Sequence, residues 1–344
     1  AINPITPWEN NFGYEPSAFY QVPENLLSGV YLWDGKVPMV VKNKNKHSNL
    51  LVIVPIATLS SFNAEGGKSF KKEDSSDSLI ASKLSLSRPL TLDKYSNSLL
   101  PFLKDFDTSF NIGYVSDTDL EEKDTFKNVK TIVIYGYSQF WTPTSILNLK
   151  TFIKQGGNVI SLTSTAMNNK IWFDRESKQI CVQDCDAPII NEVHQLKSWD
   201  DSKCFQCDIT GGNYTNGGVT HEGWGGFKII NPSNPLLEGS GLKYGDTLFL
   251  PEGLYSGIPD FKLDKDSLPI YEHLDKDFHQ FEIVGMEKVL YNNKSGFGIF
   301  SISRNSASSG IIINFGSREW CNSDVLNNPV HEKIIINAFR LATD

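Results

Sequence analysis

Thr131-Ile132-Val133-Ile134-Tyr135-Gly136-Tyr137-Ser138-Gln139-Phe140-Trp141-Thr142-Pro143 decides the fold. The unbroken apolar and β-branched run at 131–135 reads as a strand covered on both faces. Thr142 and Pro143 supply an N-cap and a proline at the first helical position. The helix they open carries Ile146, Leu149 and Ile153 on one face, and Gly156-Gly157 ends it before the next strand, 159–162. Strand, loop, helix, strand is the unit of a parallel sheet, and residues 136–141 are the loop at its carboxyl end.

The same grammar extends in both directions. Upstream, residues 50–56 form a continuous apolar run read as a strand, Leu99, Leu100, Leu103 and Phe106 mark a helix over 97–106, and 112–115 is a further strand. Before them, 30–33 and 37–41 flank Asp34-Gly35-Lys36 as a short hairpin, while 63–77 reads as a long polar loop. Downstream the alternation pauses from 163 to 288, a long insertion read with short strands, resumes with strands at 298–303 and 310–315, and closes on a helix opened by Asn328-Pro329 with Ile334, Ile335, Ala338 and Leu341. The expectation is an α/β protein with a doubly wound, mostly parallel sheet of the flavodoxin-like, class I glutamine-amidotransferase type. Residues 1–48 form a lead-in segment with its hairpin, and 49–344 form the domain, with a loop-rich insertion at about 163–288.

Composition sets the outer bounds. With 40% hydrophobic and 21% charged residues the 344-residue chain can bury a sizeable core. A net charge of −8 argues against duplex nucleic acid or an anionic membrane surface as partner. No apolar run approaches the roughly 18 residues of a membrane-spanning helix. The chain begins on Ala1, which fits either a removed leader, hence a secreted or periplasmic protein, or a boundary inside a longer cytoplasmic one. Cys181, Cys185, Cys204 and Cys207, spaced C-x3-C and C-x2-C, read as two disulfides or as a structural zinc site, and the compartment decides between them. Cys321 is left as a buried thiol beside Trp320.

Ligands of open α/β sheets bind beyond the carboxyl ends of the strands, which selects the loops at 57–68, 136–141, 163–169 and 316–320. Their polar groups, Asn63, Glu65, Tyr137, Gln139, Ser164, Arg318 and Glu319, together with Trp141 and Trp320 as walls, make a pocket there plausible on sequence alone. His221 with Glu222 in a Gly-rich loop is a further candidate, set against a plain solvated loop. Gly66-Gly67-Lys68-Ser69 is no phosphate loop, because the required glycine is Phe62, and neither G-x-G-x-x-G nor H-E-x-x-H occurs. Ser138 comes near a nucleophile elbow, but Phe140 stands where its second glycine belongs. Glu319, just past an apolar strand between Arg318 and Trp320, is the best acid or base, with an Arg–Glu brace as the plain alternative.

Taken in order, several motifs resemble one family. They are Ser28-Gly29-Val30-Tyr31 with 38–41, the strand at 50–55, the 61–69 segment with Phe62-Asn63, Ser87-Arg88-Pro89, the 136–141 loop, Gly156-Gly157-Asn158, 221–224, 237–246 and 314–320. The family is the C-terminal domain of the large subunit of N,N-dimethylformamidase and its relatives. The resemblance implies an amidohydrolase fold in which one iron is held by two tyrosines and a glutamate, the glutamate lying in a His-Asp-Glu-Tyr-Trp loop. Here that loop is Tyr137-Ser138-Gln139-Phe140-Trp141, so the glutamate becomes Gln139, and the two tyrosines become Phe62 and Leu90. Phe and Leu offer no ligand atom and Gln only a neutral carbonyl, whereas a hard ferric ion takes anionic oxygen.

Two readings follow. In one, the chain hydrolyses small amide C–N bonds without the family iron, with Glu319 as general base and Gln139 and Tyr137 orienting the substrate. In the other it is a non-catalytic secreted or surface protein that binds a polar neutral ligand, such as a glycan or small amide, through Asn63, Glu65, Trp141, Ser164, His221 and Trp320.

Overall fold

The computed structural model describes residues 6–10, 19–42, 47–71, 80–182, 204–259, 261–270, 278–291 and 294–344. Five parallel strands make its centre, ordered in space as Ile311–Asn314, Asn158–Leu162, Val129–Tyr135, Ser48–Val54 and Ile112–Ser116. Their register aligns Ile313, Ile160, Val133, Val52 and Tyr114 in one row across the sheet. That row faces the helices Lys94–Lys104 and Pro329–Thr343, through Leu99, Leu103, Ile334, Ile335 and Ala338. The flanking residues Ile312, Val159, Ile132 and Leu51 point the other way, onto Ile146, Leu149 and Ile153 of the helix Pro143–Lys154. Alternate side chains of each strand thus bury against opposite helical layers, which is why the strands read as unbroken apolar runs. Each aliphatic side chain so buried contributes roughly 1.5–3 kcal/mol.

The caps form as the sequence indicates. The Thr142 side chain accepts from Ser145 N–H and Asn328 from Val330 N–H. The hairpin pairs Gly29–Trp33 with Val37–Val41 around Asp34 and Gly35, both at positive φ. Ser28 Oγ ties it to the core by accepting from Tyr114 N–H at 2.9 Å.

Two expectations are corrected. The first strand stops at Val54, and Ile56–Phe62 is a helix, where a continuing strand and then a loop were expected. The Asp117 carboxylate, 60 residues away, accepts the Ala57 N–H at 2.9 Å and fixes this helical start. The helix read over 97–106 runs from Lys94 to Lys104, because Asp93 caps it through Ser96 N–H. The stretch from 163 to 288, read as an insertion with short strands, contributes Asn213–Val219, Phe227–Ile229, Thr247–Leu248, Leu254–Gly257 and Gln280–Tyr291 to the same sheet. They pair antiparallel and reach the parallel half through Lys294–Arg304, which runs antiparallel to Ile311–Asn314. Hairpins need only short turns, so this wing is added without crossover helices. The result is one mixed sheet of 11 strands in an α/β protein with few helices. No helix among the described residues is long and apolar enough to cross a membrane.

Candidate functional site

The loop after Val129–Tyr135 is held from all sides. Gly136, at φ 61°, makes the turn that a side chain would strain. Its N–H donates to Leu162 O, and its carbonyl accepts from Thr163 Oγ1 at 2.8 Å. Thr58 Oγ1 accepts from both Gln139 N–H and Phe140 N–H, at 2.9 and 3.2 Å, and Phe140–Trp141 pairs with Asn169–Lys170. Tyr137 and Gln139 are thereby placed on the rim of a cleft of about 420 Å³, whose lining also includes Phe62, Phe70, Phe140, Lys71 and Asn169.

Behind Tyr137 lies a cluster of ionised and phenolic groups. The Arg318 guanidinium carbon sits 4.0 Å from the centre of the Tyr137 ring, and Tyr137 meets the Tyr95 and Phe62 rings edge-on at 5.5 and 6.1 Å. Tyr95 Oη donates to Glu319 Oε1 at 2.7 Å and accepts from Arg318 Nε at 2.9 Å. Arg318 Nε is 3.4 Å from Glu319 Oε1. Both charged residues are buried, Arg318 at 8% exposure and Glu319 at 4%. They open a 3₁₀ turn capped by Ser317, whose Oγ accepts from Glu319 N–H and donates to Leu254 O. Burial, then the Glu319 hydrogen bond, push the Tyr95 phenol well above its usual range, so it stays protonated and donates. Glu319 Oε2 accepts no hydrogen bond among the described residues.

The other residues singled out from sequence are dispersed. Trp141 and Trp320 are core side chains: Trp141 Nε1 donates to Ser138 O, and Trp320 packs on Phe300, Phe315 and His331. Asn63 braces its own loop, donating to Pro89 O and accepting from Glu65 N–H, while the Glu65 side chain is exposed. The Arg88 guanidinium completes that brace with bonds to the carbonyls of Ser60, Asn63 and Glu65, and its burial lowers its pKa to about 10. Ser164 is buried, and its Oγ has no partner among the described residues. His221 is half-buried with Nδ1 on Glu222 O, and its neighbour Thr220 exchanges two hydrogen bonds with Gly253, which faces Glu319. Cys204 and Cys207 form a disulfide and in that state provide no thiolate for zinc. Cys181 is buried, Cys185 lies outside the described residues, and Cys321 is a buried thiol as read. No group of three or more His, Cys, Asp or Glu that could hold a metal is found among the described residues.

Sequence reasoning missed Tyr95, the group that joins Arg318 to Glu319. Its available signal was position: Asp93-Lys94-Tyr95 opens a helix at the carboxyl edge of the sheet. The positions at which the resemblance implies iron ligands do not fit that metal. Phe62 and Gln139 line one cleft with a ring and a neutral amide, and Leu90 is a half-buried hydrocarbon outside that lining.

A family model described as N,N-dimethylformamidase beta subunit-like, C-terminal, matches residues 5–327. No curated protein sequence matches the chain. Similar solved structures include a ThuA-like protein from Bacteroides uniformis, at 12% identity and TM-score 0.43, covering 86% of this chain and 91% of that one. Another is the N-terminal domain of mmIFT52, at 12% identity and TM-score 0.42, covering 72% of this chain and 92% of that one.

Proposed function

The chain belongs to the N,N-dimethylformamidase beta subunit-like C-terminal family, and from that premise we propose that it is an iron-free member binding a small, polar, neutral ligand in the Tyr137–Gln139 cleft. One observation carries the reading: among the described residues the cleft lining combines four aromatic rings with the amides of Gln139 and Asn169 and the ammonium of Lys71, and holds no carboxylate, imidazole or thiol. Aromatic faces stack on sugars or planar amides, and side-chain amides match their donors and acceptors. The five parallel strands with helices on both faces support a flavodoxin-like core beneath this cleft. The Cys204–Cys207 disulfide supports a secreted or periplasmic setting. A thermal-shift screen of small amides and sugars tests the reading. A ligand at a hundredfold its Kd stabilises by about 2.7 kcal/mol, and Tyr137→Ala is expected to abolish the rise. No rise with any compound, or a rise that survives Tyr137→Ala, contradicts it.

A second reading, amide hydrolysis, is favoured by one specific observation: Glu319 Oε2 has no hydrogen-bond partner among the described residues and is an acceptor for a nucleophilic water. Release of amine from an amide panel by the native chain, lost in Glu319→Gln with the fold intact, establishes it. Absence of release across the panel leaves the binding reading.

A further inference from the structure

A second cavity, of about 370 Å³, opens between the hairpin strand Gly29–Trp33 and the helix Lys94–Lys104, and among the described residues it shares no lining residue with the Tyr137–Gln139 cleft. Its size falls at the low end of small-molecule sites, roughly 300–1,000 Å³. Leu27, Val30, Leu92 and Leu100 make its apolar walls, and Leu27 leaves 77% of its surface to solvent. Asn97, Leu100, Pro101 and Lys104, spaced three and four apart, bring one face of the helix to it. We infer that this cavity binds a small aliphatic α-amino acid, with the apolar side chain on the leucines, the ammonium on Asp107 and the carboxylate on Lys104.

Three observations carry it. Asp107 and Lys104 both line the cavity, and neither forms an ion pair among the described residues. Two opposite charges thus stand on one apolar site without meeting, the pattern complementary to a zwitterion. Of the Asp107 carboxylate only Oδ1 is engaged among the described residues, accepting from Tyr114 Oη at 3.0 Å. Burial holds this carboxyl above its ordinary range, outweighing the Tyr114 hydrogen bond and the Lys104 charge, so an ammonium set against it relieves that cost. Finally, Pro101 sits inside the helix and has no N–H to give the Asn97 carbonyl one turn before it. Residues 97 and 101 both line the cavity, so this carbonyl is a second acceptor for an ammonium, which carries three donors.

Calorimetric titration of the native chain with leucine tests this. Saturable binding at millimolar leucine is expected, weakened by roughly tenfold or more in Asp107→Asn and in Lys104→Met, each of which removes a charge-assisted hydrogen bond. Leucinamide, which lacks the carboxylate, and isocaproate, which lacks the ammonium, are expected to bind the native chain more weakly than leucine by the same margin. Lys104 is exposed, so Lys104→Met reads the carboxylate contact even where Asp107→Asn does not fold. Tyr137→Ala is expected to bind leucine as the native chain does. Absence of leucine binding, isocaproate or leucinamide binding as tight as leucine, or full affinity in Lys104→Met overturns the assignment. Loss of leucine binding in Tyr137→Ala places the ligand in the other cleft and overturns it equally. A negative thermal-shift screen with leucine binding intact defeats the Tyr137–Gln139 reading alone, so the two failures are distinguishable.

Discussion

Tyr95 and Glu319 stand 224 positions apart in the chain and 2.7 Å apart in the fold. Glu319 could be picked from sequence because it follows an apolar strand. Tyr95 could not, because nothing local to it records a partner so distant. In Tyr95→Phe, Glu319 loses a donor and Arg318 Nε an acceptor, both buried, so a destabilisation of about 1–3 kcal/mol is expected in urea unfolding. Asp117 gives the second test at this scale. Burial raises its pKa from 3.8 to about 7, against the opposing hydrogen bond from Ala57 N–H. The folded state therefore holds the proton more tightly than the unfolded chain. The stability this gives is complete below pH 3.8 and is lost as pH rises through about 7. Unfolding measured across that window should show the decline in the native chain and a flatter profile in Asp117→Asn. An unchanged slope in the variant assigns the effect elsewhere.

At the scale of elements, the strand–loop–helix unit at 129–154 was legible because its signals are local: an apolar run, a capping threonine, a proline and two glycines. The helix Ile56–Phe62 was not, since the carboxylate that fixes its start comes from Asp117 on another segment. Between 213 and 291 only short strands could be read, since glycines interrupt the apolar runs, and their place in the central sheet was not visible. Gly253 shows what such a residue does here: a Cβ on it lies 2.8 Å from Glu319 Oε1. Gly253→Ala is expected to push the carboxylate off Tyr95 and cost about 1–3 kcal/mol. Gly225→Ala, whose Cβ comes no closer than 3.6 Å to its nearest neighbour, serves as the control. Equal melting temperatures for the two variants contradict the packing described around Glu319.

At the scale of the molecule, sequence and structure agree on the parallel core and diverge on the rest of the sheet. The core was legible because both of its faces are buried and its strands announce it. That the antiparallel wing joins the same sheet was not, because its strands are short or glycine-interrupted and alternate in burial, as in Phe227-Lys228-Ile229, where the outer two side chains are buried and Lys228 is exposed. The same contrast holds for the site. Its place at the strand ends, with Arg318 and Glu319 in one of its loops, followed from topology, while Tyr95 at its centre follows from packing alone. The reading proposed above is of a family member that binds its ligand without iron. Elemental analysis of the native chain, produced in iron-supplemented medium, tests this most directly. Iron far below one atom per chain is expected, and one tightly held iron per chain would contradict the iron-free reading.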